Sequence, residues 1–223
     1  MLKLWGRPTS SHTLRVLWTL AEIELDFDFI PASGTMGAGG HVSKGNEPFG
    51  IVDSPEYRAM NPNGTVPTID DDGFVLWESN SIVRYLAMKY APDLLYGNDV
   101  ETFASASKWM DWDENEVLHG KHILVMQLVR LPEEQRDPAE LESARQELIE
   151  AFGILDNTLS RTPYIAGERF SMGDIPIGVS VCRWLLFDLE RPAMPNLTRW
   201  YADISKRPAF QKWVADPAHH LSG

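Results

Sequence analysis

The chain has 223 residues, 43% of them hydrophobic and 23% charged, a composition that supports one large or two small globular domains and excludes wholesale disorder. An excess of 32 Asp and Glu over 20 Lys and Arg, for a net charge of −12, argues against a nucleic-acid partner, which needs clustered basic residues. No apolar run is long enough to span a bilayer, so neither a signal peptide nor a membrane anchor is predicted, and the lone Cys182 excludes an internal disulfide and points to a reducing cytoplasm.

Before about residue 90 the hydrophobic period mixes strands and helices. Leu2 to Trp5 reads as a short strand ending at Gly6. The polar turn Arg7-Pro8-Thr9-Ser10-Ser11 then opens a helix whose apolar face is Leu14, Leu17, Trp18 and Ala21. Asp26 to Ile30 alternates strictly and reads as a strand. The Gly-rich stretch from Ala32 to Gly50 carries no assignable period. Pro55 to Met60 predicts a short helix stopped by the turn Asn61-Pro62-Asn63-Gly64. Two apolar runs, Val66 to Ile69 and Phe74 to Trp77, flank Asp70-Asp71-Asp72-Gly73 and read as a β-hairpin. A helix from Glu78 to about Tyr90 completes a small mixed α/β domain.

Residues 89–99, with Pro92 and Gly97, read as a linker between that domain (1–88) and a second (100–223) without strand signals. One long helix is predicted from Val100 towards Val129. Asp137-Pro138-Ala139-Glu140 is a helix start, followed by the stripe Leu141, Ala144, Leu148, Phe152, Leu155 and Leu159. Ser171 to Asp174 form a capping box before an apolar helix, where Asp174→Ala is expected to cost about 1 kcal/mol. Asn196 and Pro208 open two last short helices. His219 and His220 read as a frayed tail.

Three junctions could carry chemistry. Pro67 inside a strand-like run implies either an edge or a cis bond that exposes the Val66 backbone to an added strand. Glu78 and Ser79 stand at a helix start, where free N–H groups suit a substrate carboxylate, Ser79 adds a donor and Glu78 can accept from an ammonium. The hydroxyls of Thr9, Ser10 and Ser11 stand at another helix start and could stabilise a thiolate, with His12 assisting. Each junction has a plainer reading as edge protection or N-capping.

In combination and in order, these segments resemble the soluble glutathione S-transferases over essentially the whole chain. The resemblance rests on Gly6 to Ser11, Asn61 to Thr68, Glu78 to Leu86, Trp109-Met110-Asp111-Trp112 and Phe170 to Pro176. It implies a thioredoxin-like N-terminal domain that binds glutathione and an all-α C-terminal domain that covers a small hydrophobic electrophile, in a homodimer. Val66, before Pro67, would pair with the cysteinyl backbone of glutathione. Glu78 and Ser79 would hold its γ-glutamyl end. Ser10 would activate the thiol, with Ser11 and Thr9 as alternatives, as in serine-type bacterial members. His12 stands where relatives carry Asn, and Lys44 or His41 in the unusually long Gly34–Gly50 segment would meet the glycyl carboxylate. The long helix would line the electrophile pocket through Trp109, Trp112, Asp113 and His119, although core packing explains at least half of the aromatic positions.

Two other enzymatic and non-enzymatic readings remain open at this point: glutathione-dependent disulfide or peroxide reduction, and a non-catalytic interaction module. Glu116-Val117-Leu118-His119 matches half of a di-iron motif, but the second copy is missing from the sequence, so no metal is expected. The acidic run Asp111, Asp113, Glu114 and Glu116 reads first as a solvated helix face.

Overall fold

A computed structural model describes residues 1–32 and 51–221. Lys44, His41 and most of the Gly-rich segment lie outside the described residues. The N-terminal domain is built on a four-stranded sheet in the order β2-β1-β3-β4. Strand β1 (Leu2–Gly6) buries Leu2 and Leu4 on alternate positions and runs parallel to β2 (Phe27–Pro31) in the register Leu4 to Phe29. On its other side β1 pairs antiparallel with β3 (Thr68–Asp71), and β3 with β4 (Phe74–Trp77). The hairpin is tighter than the sequence suggested. Asp70 and Asp71 stay in the ladder, leaving Asp72 and Gly73 as a two-residue turn with φ of 50° and 95°, a geometry that favours glycine at the second position.

Helix α1 (Ser11–Glu22) links β1 to β2 and is buried along nearly its whole length, because it packs against the last helix of its own domain and against two helices of the second. Its Trp18 packs edge-on to Phe210 at 5.0 Å and against Phe170 at 5.8 Å. Gly178 permits this approach, since a Cβ there would sit 2.7 Å from the Trp18 ring. Helix α2 (Pro55–Met60) is capped by Ser54 and carries Tyr57 into a small second core with Ala32 and Val52. Helix α3 (Ser79–Tyr90) follows β4 directly.

The second domain is all-helical. Helix α4 (Val100–Trp112), a π-helical turn at Asp113–Val117, α5 (Leu118–Val125) and a second π-helical turn at Met126–Arg130 form one continuous rod. The rod expected to end near Val129 therefore exists, but its register slips twice. Helices α6 (Pro138–Leu159), α7 (Asp174–Leu186), α8 (Pro195–Ile204), α9 (Pro208–Trp213) and α10 (Ala218–Leu221) complete the domain. The stretch read as a linker is packed: Leu95 is fully buried, and its carbonyl accepts from the Met172 N–H at 3.0 Å. Among the described residues no helix is long and apolar enough to cross a membrane.

Two local expectations need correction. The C-terminal histidines do not fray. His220 is buried and its Nε2 shares a 2.7 Å hydrogen bond with the Val214 carbonyl, while the His219 carbonyl accepts from Arg183. Asp174 is more than a cap. Its Oδ2 accepts from the Ser171 N–H at 2.9 Å and from the Ser171 hydroxyl, closing the capping box, while Oδ1 accepts from the Ile165 N–H and the Trp200 indole at 2.8 Å. Full burial pushes its carboxyl up to about 6, against those four donors. Asp174→Ala strands buried donors on three segments, so the expected loss rises from about 1 to ~3 kcal/mol, read as a fall in the denaturation midpoint at unchanged slope. A loss near 1 kcal/mol would reduce Asp174 to a simple cap.

Candidate functional site

The turn after β1, the segment before β3, the start of α3 and the rod converge on one cavity. It holds about 500 Å³ and is lined by Arg7, Ser10, His12, Gly64, Thr65, Val66, Pro67, Glu78, Ser79, Glu114 and Leu118. Of the residues singled out in the sequence, Ser10, His12, Val66, Pro67, Glu78 and Ser79 are thereby brought together. Thr9 and Ser11 line only a second cavity of about 660 Å³, which shares Arg7, Ser10, His12, Thr65 and Leu118 with the first. Ser10 thus stands at the junction of the two.

The Val66–Pro67 bond is cis. Its approach is held from below. The Tyr57 hydroxyl donates to the Thr65 carbonyl at 2.7 Å, and Asn61 Nδ2 donates to the same carbonyl at 2.9 Å and to Thr68 Oγ1 at 3.1 Å. The turn at Asn61 therefore fixes the segment that carries Val66, a role that its turn chemistry alone did not suggest.

Ser10 is the N-cap of α1, its Oγ accepting from the Thr13 N–H at 3.3 Å. That bond uses an oxygen lone pair and leaves the hydroxyl proton available. The capping and thiol-stabilising readings of Ser10 are therefore compatible. Glu78 is exposed at the rim with φ of 70°, a conformation costly for a non-glycine residue and concentrated at functional sites. Ser79 behind it is buried at the first position of α3.

The centre of the site is a residue with no evident role in the sequence. Arg15 is fully buried, and its guanidinium donates to Asp113 Oδ2 at 2.6 Å, to Asn80 Oδ1 at 3.2 Å, to Ser79 Oγ at 3.4 Å and to Glu114. It joins α1, α3 and the rod. Asn80 returns a bond to the rod through the Met110 carbonyl at 2.8 Å. Asp113 and Glu114 are consequently not a solvated face. Burial opposes the charge on Glu114, but its neighbours, Arg15 foremost and His12 and Lys121 with it, together hold the carboxyl below its ordinary value.

His12 shares a 3.2 Å hydrogen bond with Ser79 Oγ. Removal from water and the neighbouring Arg15 charge bring its imidazole down to about 3, so it is neutral near pH 7. The Ser79 oxygen accepts from Arg15, so the Ser79 hydroxyl is the natural donor to a neutral His12 Nδ1.

The predicted electrophile-pocket residues lie elsewhere. Trp109 is in the core, edge-on to Trp112 at 5.3 Å, and Asp113 points at Arg15. His119 is mostly exposed and pairs with Glu147 at 2.9 Å instead of with Glu116. The rod reaches the cavities through Glu114, Leu118, Lys121, His122, Val125, Met126 and, at its end, Arg130. That is a helical face one position round from the one carrying Trp109 and Asp113, and the 118-121/122-125 spacing was available as its signal.

Family models described as the N-terminal and C-terminal domains of glutathione S-transferase match residues 9–89 and 120–208. The chain is 38% identical to glutathione S-transferase GstB of Escherichia coli, covering 97% of this chain and 99% of that one. It is 34% identical to glutathione S-transferase 3 of Zea mays, over 96% and 93% of the two chains. A solved theta class glutathione S-transferase from Xanthomonas axonopodis pv. citri, with glutathione bound, superposes with a TM-score of 0.86 at 39% identity, covering 96% and 97%.

Two outcomes follow from the electrostatics. Arg15→Met leaves Asp113 buried beside only Lys121, 3.8 Å away, and is expected to cost ~3–5 kcal/mol in chemical denaturation; a loss below 1 kcal/mol would mean the network holds nothing together. Below the ordinary histidine value of 6.5 the unfolded chain takes up a proton that folded His12 refuses until about 3, so stability falls as pH drops through that window. Buried His220, also lowered to about 3 by burial, acts in the same direction. His12→Gln should flatten part of the stability-against-pH slope between pH 6 and 4, and an unaltered slope would show that His12 is not held neutral.

Proposed function

The chain belongs to the glutathione S-transferase family, and from that premise we propose that it conjugates the thiolate of glutathione to a small electrophile. The observation that carries the mechanism is Ser10: a hydroxyl whose lone pair caps α1 while its proton is available where the two cavities meet. Donation of that proton to sulfur, together with the N-terminal dipole of α1, stabilises the thiolate and lowers the thiol pKa. This is the serine-type arrangement. The described residues hold no other thiol near the cavities, because Cys182 is buried in α7 with its Sγ 3.5 Å from the Val214 carbonyl. The reacting sulfur arrives with the tripeptide.

Binding divides along the first cavity. The Val66 backbone pairs with the cysteinyl unit in the manner of an added strand. At the start of α3 the Ser79 hydroxyl turns from His12 to the γ-glutamyl carboxylate, supported by the helix N–H groups. Glu78 at the rim and Glu114 across from it face the α-ammonium. Lys44 or His41 serves the glycyl carboxylate. The electrophile enters the second cavity, where orientation next to an already potent nucleophile accounts for much of the acceleration. A homodimer in the cytoplasm belongs to the same reading, supported by the family likeness.

Ser10→Ala removes one hydrogen bond to an anion, worth about 1.5–3 kcal/mol, so the thiol pKa in the complex should rise by about one to two units. Glutathione affinity should change little, and turnover near pH 7 should fall by roughly tenfold or more. Ultraviolet titration of the bound thiolate reads the shift directly; an unmoved pKa would transfer the role to Ser11 or Thr9. Because His12 is neutral, the acid limb of the rate–pH profile should report the thiol alone.

A further inference from the structure

The second cavity carries charge that conjugation to a neutral electrophile leaves unexplained. Arg7, Arg130, Arg183 and Lys121 all line it, and its described lining contains no Asp or Glu, in a chain of net charge −12. Lys121 and Arg183 have partners within the fold. Lys121 donates to Ser180 Oγ at 2.8 Å with Asp113 at 3.8 Å. Arg183 donates through Nη2 to the Thr9 and His219 carbonyls, both at 3.2 Å, although its buried Nε has no partner.

Arg7 differs. Its Nε and Nη1 are buried without a hydrogen-bond partner, and no ion pair forms to it among the described residues. Burial and the nearby Arg130 charge lower its guanidinium to about 10, and burial with the same neighbour lowers Arg183 to about 10. Both therefore remain charged at neutral pH while repelling each other across the cavity. Buried donors without acceptors are uncommon in folded proteins, and each carries a desolvation penalty. A planar fork of N–H groups matches a carboxylate in geometry and in sign.

We propose, on the footing of the transferase reading, that the second substrate is an electrophile bearing a carboxylate, held by Arg7 with Arg130 and Arg183 around it. Leu118, Val125 and Met126 in the same lining take its carbon skeleton. Ser10 and His12, common to both cavities, put the electrophilic carbon beside the sulfur. The acidic surface repels such a substrate in general, and the cavity reverses that sign locally.

A matched pair of aryl chlorides tests this: 4-chloro-3,5-dinitrobenzoate and 4-chloro-3,5-dinitrobenzamide. In either case the thiolate attacks the carbon bearing chlorine, a C–S bond forms, chloride leaves with the C–Cl electron pair, and the thiol proton goes to solvent. The benzoate should be favoured in kcat/KM by at least tenfold, after correction for uncatalysed rates. Arg7→Met and Arg130→Met should each bring that ratio towards one. Binding of the unreactive 3,5-dinitrobenzoate and 3,5-dinitrobenzamide to wild-type protein, by calorimetry with and without glutathione, reads the same preference where turnover is slow or a variant does not fold. Equal binding of acid and amide would overturn the proposal, as would variants that raise the KM for glutathione and leave the ratio unchanged, because the arginines would then serve the tripeptide. Failure of wild-type protein to bind glutathione at all would instead overturn the transferase reading, and the acid-against-amide binding would still decide the charge of the cavity.

Discussion

The site depends on one buried guanidinium. Arg15 comes from α1, its acceptors from α3 and from the rod, and no contact with solvent remains. Removing such a charge from water is expensive, and the expense is tolerable only because Asp113, Glu114, Asn80 and Ser79 together engage its two terminal nitrogens, Nε alone remaining without a partner. The same constraint fixes relative positions. With Arg15 in place, the start of α3 cannot drift from the start of α1, and the rod cannot slide along either. Ser10, Ser79 and Glu114 hold their spacing for that reason.

Around this anchor the cavity is divided by chemistry as well as by shape. The side formed by Val66, Glu78 and Ser79 offers backbone, a helix start and carboxylates, which suits a zwitterionic peptide. The side formed by the rod and α7 offers alkyl groups and guanidinium groups. Ser10 and His12 form the seam. A neutral imidazole at the seam is informative, since a protonated His12 would add a further cation next to Arg15. The fold suppresses that charge through burial and repulsion, and the imidazole is left as an acceptor for Ser79.

Much of this was legible in the sequence where local rules decide the outcome. The strands, α1, the hairpin, α3 and the apolar stripe of α6 all follow from periodicity and turn chemistry. Ser10, Val66, Glu78 and Ser79 sit at element ends, where the chain direction alone brings them to one edge of the sheet. What was not legible depends on tertiary approach. Asp113 and Glu114 look like solvated acids until Arg15 is placed opposite them. The face of the rod that meets the cavities could not be carried forward from Trp109, because the π-helical turn at Asp113–Val117 shifts the register before Leu118, Lys121 and Val125, whose own spacing was the one signal for it. Asp174 could be read as a cap from its neighbours, whereas its bonds to Ile165 and Trp200 join segments that the sequence keeps apart.

Arg183 joins the carbonyl of Thr9 to the carbonyl of His219. Thr9 and His219, far apart in sequence, are thereby tied to a single side chain in the wall of the second cavity. During synthesis the N-terminal domain can fold early, since every strand of its sheet lies before residue 78. The cavity wall cannot be finished then, because Arg183 and the His219 carbonyl that helps to fasten it come much later in the chain. The wall of the second cavity is therefore completed after the sheet, through contacts that join sequence-distant segments.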